Sequence, residues 1–148
     1  MDLFTASNCN IAGVGYCIYF NESHHYEFTL GVGYGTNTKA ELLSLWALLL
    51  SSQMMGTPLS HVYGDSQVII NWAMGLTALS PPDLFHWCRE TKKLILSFQD
   101  LFFTHIYREH NRTADFLSKT ALSYREGTGS YMEYFENQLV SHDIFQIF

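Results

Sequence analysis

The chain has 148 residues, enough for one domain with a sizeable core, and its 47% hydrophobic and 16% aromatic content excludes a disordered segment. A net charge of −6 excludes a protein that grips nucleic acid through overall basicity, so such a partner would be met by local basic patches or bound cations. The longest strongly apolar run, Leu42 to Leu50, is too short to span a bilayer, no secretory leader opens the sequence, and Cys9, Cys17 and Cys88 form no paired framework. These features predict an intracellular chain, in nucleus or cytoplasm.

Along the chain, Gly13 to Phe20 is a β-branched and aromatic run that predicts a strand, and after the polar turn Asn21 to Ser23 the segment His25 to Tyr34 reads as its hairpin partner. Thr38 to Met55 is a Leu- and Ala-rich helix that stops at Gly56-Thr57-Pro58. A short strand, Ser60 to Tyr63, leads through Gly64-Asp65-Ser66 into a helix ending near Met74. Ser80-Pro81-Pro82-Asp83 starts the next helix, whose Leu84, Trp87, Cys88, Thr91, Ile95 and Phe98 recur at helical spacing. Leu101 to Tyr107 is a further strand, and Asn111 caps a helix running to about Leu122. A hairpin followed by alternating strands and helices predicts a mixed sheet covered by helices. Residues 123–148 carry no clear period and read as an appended, partly ordered tail, outside a domain spanning 1–122.

Three acids stand where the chain turns between elements: Glu41 near a helix start, Asp65 just past a strand end, Asp115 in the first turn of a helix. Singly, each has an ordinary explanation. Acids favour helix first turns through the macrodipole, and Asp65 could be an N-cap. The end of an apolar strand in an α/β sheet is, however, where ligand-binding residues are exposed.

The motifs around these acids resemble the type 1 ribonuclease H family, in particular the RNase H-like domains of retrotransposon-derived plant genes. The blocks that carry the resemblance are Thr36-Asn37-Thr38-Lys39-Ala40-Glu41, Tyr63-Gly64-Asp65-Ser66, and His105 through Asp115 with Arg108, Asn111 and Arg112 between. It covers residues 2–122. It implies an α/β fold with a five-stranded mixed sheet, an antiparallel three-stranded start followed by parallel strands. Carried over residue by residue, Asp2, Glu41, Asp65 and Asp115 would be the metal-binding carboxylates, and His105 would assist proton movement and product release. Thr36, Asn37 and Thr38 would touch the hybrid's sugar–phosphate backbone. Two positions depart from the pattern: Thr38 stands for the more usual Asn or Gln, and Leu3 for the glycine that follows the first Asp. The first strand should be central with its body upstream of Asp2, so either upstream sequence is missing or a segment such as Leu3 to Ala6 serves as a shortened strand.

Four converging carboxylates would repel one another without a cation, and hard oxygen ligands select Mg²⁺ or Mn²⁺ over zinc. Two such ions roughly 4 Å apart would activate a water and stabilise the leaving oxygen of a phosphodiester. The expected function is thus an endonuclease that hydrolyses the RNA strand of an RNA–DNA hybrid. The alternative is a catalytically decayed, transposon-derived domain acting as a nucleic-acid or protein interaction module; the acidic charge, Leu3 and the missing basic insert of bacterial relatives favour it. A 3′–5′ exonuclease on the same fold is a third reading, disfavoured by the His105-to-Asp115 spacing. The helix face with Arg89, Lys92 and Lys93 is a candidate nucleic-acid patch, or a solvated helix face. Cys9, Cys17, His24 and His25 lack the paired spacing of a zinc site.

Overall fold

The protein is described by a computed structural model that covers the backbone of residues 2–9 and 11–148, with side chains from Ala12 onward. Seven strands form one sheet in the order β5-β4-β1-β2-β3-β6-β7. The first three, β1 (Asp2–Cys9), β2 (Ile11–Tyr19) and β3 (His24–Tyr34), form an antiparallel meander. After α1 (Asn37–Met54), β4 (His61–Gly64) returns parallel to β1. Then α2 (Gln67–Ala73) and α3 (Phe85–Ser97) precede β5 (Phe102–His105), which lies parallel to β4. The helix α4 (Arg112–Thr120) follows.

Helices cover both faces of the sheet. The close side belongs to α4, because Gly13 and Gly15 of β2 leave no side chain between strand and helix: a Cβ at Gly15 would lie 2.5 Å from Leu117 Cβ, and one at Gly13 2.5 Å from the Ser118 carbonyl oxygen. The alternating residues Ala12, Val14, Tyr16 and Ile18 therefore face the other way. They are buried with the apolar side of α1, and Tyr16 stacks on Phe28 at 4.6 Å while its hydroxyl meets Ser51 Oγ at 2.8 Å. Losing water raises the Tyr16 phenol far above its ordinary range. Against the outer side of α1 lies α3, with Trp46 and Trp87 edge to face at 5.0 Å.

Four sequence expectations change here. The expected tail is part of the sheet: β6 (Thr128–Phe135) adds to the free edge of β3, and β7 (Gln138–Gln146) pairs with β6, so the expected five strands become seven. The first strand is eight residues long beginning at Asp2, and it covers the Leu3 to Ala6 segment. Ser66 rather than Asp65 caps α2, its hydroxyl accepting from the Ile69 N–H at 3.4 Å. The Pro81-Pro82 start forms a short 3-10 turn, Pro82–Leu84, before α3 begins.

Candidate functional site

Parallel strands β1, β4 and β5 aim their C-terminal ends at one edge of the molecule, where α1 and α4 also begin. Thr36 opens α1 by accepting from the Lys39 N–H at 3.2 Å, which sets Glu41 one turn inside the helix. Asp65 follows the last residue of β4. His105 ends β5, paired with Gly64, and its ring meets that of Tyr107 edge to face at 5.6 Å. A 3-10 turn, Arg108–His110, then carries the chain to Asp115 in the first turn of α4.

These elements bring Glu41, Asp65 and Asp115 to one mouth. Arg108 connects two of them: its Nη1 donates to Asp115 Oδ1 at 2.8 Å, and its Nε lies 3.5 Å from Asp65 Oδ2. Lys119, one turn along α4, reaches the other Asp115 oxygen at 3.1 Å. The third carboxylate is held by neutral donors. Asn37 Nδ2 donates to Glu41 Oε1 at 2.9 Å and Ser66 Oγ donates to Oε2 at 2.7 Å. Burial pushes the Glu41 carboxyl above the usual carboxylate range; the Ser66 bond opposes this, the negative charge of Asp65 adds to it, and Arg108 and Asn37 oppose it. The Asp65 side chain is only 1% exposed, so its charge acts in a poorly screened setting.

Not every expected site residue joins this group. The backbone of Asp2 pairs with Val62, three residues before Asp65 along parallel strands, which separates the two levels by roughly 10 Å. The Asp2 side chain lies outside the described residues. Continuing the register from Phe4–Gly64, positions 5 and 6 of β1, Thr5 and Ala6, stand level with Asp65 and Ser66. Thr36 and Asn37 are exposed at the rim and Thr38 is half-buried, with Asn37 tied to Glu41 as above. On α3, Lys92 lies over the Trp72 ring at 5.3 Å and Lys93 pairs with Glu90 at 3.3 Å, which leaves Arg89 as the third exposed cation of that face. The roles of Arg108, Lys119 and Ser66 were not read from the sequence. The Lys119 contact was open to detection, since it is an i,i+4 pair with Asp115; Arg108 reaches Asp115 only through a non-helical turn.

The donor set suits a hard cation in kind, being made of carboxylate oxygens at one mouth. Its oxygens are already engaged, however, by Arg108, Lys119, Asn37 and Ser66. Among the described residues, no group of three or more His, Cys, Asp or Glu side chains is arranged to hold a metal ion. No described helix is long and apolar enough to cross a membrane.

Comparison with known proteins gives a consistent family. A family model described as reverse transcriptase-like matches residues 9–121. RNase H1 from the halophilic archaeon Halobacterium salinarum superposes with a TM-score of 0.76 at 28% identity, covering 84% of this chain and 97% of that one. LC11-RNase H1, solved in complex with an RNA/DNA hybrid, gives a TM-score of 0.74 at 25% identity over 82% of this chain and 94% of that one. The protease–reverse transcriptase of prototype foamy virus shares the fold at a TM-score of 0.61 and 16% identity, covering 84% of this chain and 20% of the viral one. A search of curated proteins finds no match.

Proposed function

This chain belongs to the reverse transcriptase-like family, with the fold of type 1 RNase H, and from that premise we propose that it acts on RNA–DNA hybrids as an RNase H-type domain. The observation that carries the reading is the convergence of Glu41, Asp65 and Asp115 at the strand ends. The proposed reaction is hydrolysis of the RNA strand: water adds to phosphorus, the P–O3′ bond breaks, and the products carry a 5′-phosphate and a 3′-hydroxyl. The cofactor class is Mg²⁺ or Mn²⁺, which would supply the charge that activates water and steadies the leaving oxygen. Thr36, Asn37 and Thr38 at the rim would meet the sugar–phosphate backbone, with Asn37 linking that contact to Glu41. His105, at the end of β5, would move a proton or ease product release.

Recognition is expected to be local. A chain of net charge −6 attracts nucleic acid only where cations cluster, and the α3 face with Arg89, Lys92 and Lys93 is such a place. The test is equilibrium binding of a labelled hybrid against double-stranded DNA and single-stranded RNA of the same sequence. A preference for the hybrid that weakens in Asn37→Ala is the expected result. Equal binding of all three nucleic acids, or none, would overturn the reading. Incubation of the hybrid with Mn²⁺ and with EDTA reads the chemistry, and cleavage that persists in EDTA would exclude the assigned cofactor class.

A further inference from the structure

Alternation along the ladders fixes which strand positions share a face. On β2, Gly13 and Gly15 lie under α4, so Val14 and Tyr16 lie on the face of α1, which carries Glu41. Their partners on β1 are Ala6 and Phe4. The parallel register with β4, paired as far as Phe4–Gly64 and continued two residues further, brings position 6 to the level of Ser66, the residue that holds Glu41. Two ladders thus identify the position on the central strand that stands at the mouth on the Glu41 side. It is occupied by alanine. The Asp2 backbone lies four residues earlier, about 13 Å along the strand at the usual rise per residue.

The charge balance agrees. Asp65 and Asp115 share the Arg108 guanidinium, and Lys119 takes the remaining Asp115 oxygen. The cluster therefore carries its own counter-cations, and a divalent ion must compete with both. Only the Asp65 side chain is almost wholly buried, while Arg108 and Lys119 are 51% and 64% exposed, so a divalent ion competes with cations that water already screens in part.

Resting on the hybrid-directed reading, we infer that the mouth is one carboxylate short, with Ala6 at the place of the missing ligand, so the chain holds hybrids but binds divalent cations weakly and cleaves slowly. Position 6 is then the residue that sets turnover. The experiment compares the full chain with Ala6→Asp in three measurements: Mn²⁺ affinity by titration, hybrid affinity in EDTA, and single-turnover hybrid cleavage in Mn²⁺. Ala6→Asp is expected to tighten Mn²⁺ at least about tenfold and to accelerate cleavage by about a hundredfold, since even outer partners of metal ligands are worth factors of this size. Hybrid affinity should change little. A variant that binds Mn²⁺ no more tightly, or cleaves no faster, would overturn the inference.

The unaltered chain supplies a second test that does not depend on how the variant folds. Its own Mn²⁺ dissociation constant should be in the millimolar range or weaker, and micromolar binding would overturn the inference. The metal titrations involve no nucleic acid. Failure of both proteins to bind hybrid would therefore remove the hybrid-directed reading while leaving the missing-ligand inference judged by the metal arm alone.

Discussion

Glu41 shows how one residue couples the site to stability. The residue is 8% exposed, its carboxylate accepts from Asn37 and Ser66, and burial raises its pKa above the ordinary value of 4.5. A raised carboxyl means that the folded chain binds more protons than the unfolded chain between the two values. Stability is then fullest below the unfolded value and falls as pH climbs through the folded one. Glu41→Gln keeps the shape and removes the charge, leaving Asn37 and Ser66 as possible partners. The variant should melt above the parent at pH 8, and the gap should close by about pH 4, below the carboxylate's reference range. Thermal midpoints at several pH values check this. A constant gap across pH would mean that the effect is steric rather than electrostatic. Asp115 differs in kind, because two cations hold it at 2.8 and 3.1 Å where Glu41 has only neutral donors.

At the scale of elements, the site depends on how closely α4 lies on β2. A methyl at Gly15 would press on the Ala114 carbonyl oxygen and come within 2.6 Å of Ser118 N, both backbone atoms that cannot rotate away. Gly15→Ala should therefore lift α4, cost about 1–3 kcal/mol as overpacking does, and draw Asp115 away from Arg108. The expected readings are a lower thermal midpoint and weaker hybrid binding in the same variant; an unchanged midpoint would show that α4 can slide. Such elements were legible because their patterns are local: the β-branched runs of β2 and β3, the apolar α1, and the cap and acid that open α4. The hairpin β6–β7 was not legible. Its two-residue turn is Glu136-Asn137 with φ of 51° and 64°, a left-handed pair for which Asn-Gly is the recognisable signature. Glutamate in the first place concealed it. The register that brings β1 to the mouth is not legible in the sequence for another reason. Motif spacing located Asp2, whereas the register is set by pairing with β2 and β4, which no local pattern reports.

For the molecule as a whole, the open question is whether residues 1–122 form the unit on which the rest is hung. The observed topology argues for a larger unit. Without β6, β3 would lose its outer ladder from His24 to Leu30 and present a bare edge there. Phe28 would lose Tyr131 and Phe145, whose rings lie 6.3 and 6.4 Å away. The end of the chain reaches further still, for Phe148 packs against Trp46 and Trp87 at 5.9 and 5.7 Å and so ties the hairpin to the α1–α3 pair. Packing at this seam is incomplete, since a cleft of about 200 Å³ lined by Met54, Met55, Tyr131 and Phe145 remains between α1 and the hairpin. The hairpin should thus contribute substantially without being the whole of the stability. A chain ending at Arg125 is expected to melt well below the full chain and to self-associate through β3, while Phe148→Ala alone should cost about 1 kcal/mol, the size of an aromatic contact beyond its buried area. Melting, sedimentation and tryptophan fluorescence would read these three effects, the last because two of the three tryptophans touch Phe148. The carboxylate mouth lies at β1, β4 and β5, on the opposite side of the sheet order from β6 and β7. Hybrid binding by whatever fraction of the shortened chain stays folded should therefore match that of the full chain. If the shortened chain melts like the full one, residues 1–122 are the folding unit after all, and the hairpin is an addition.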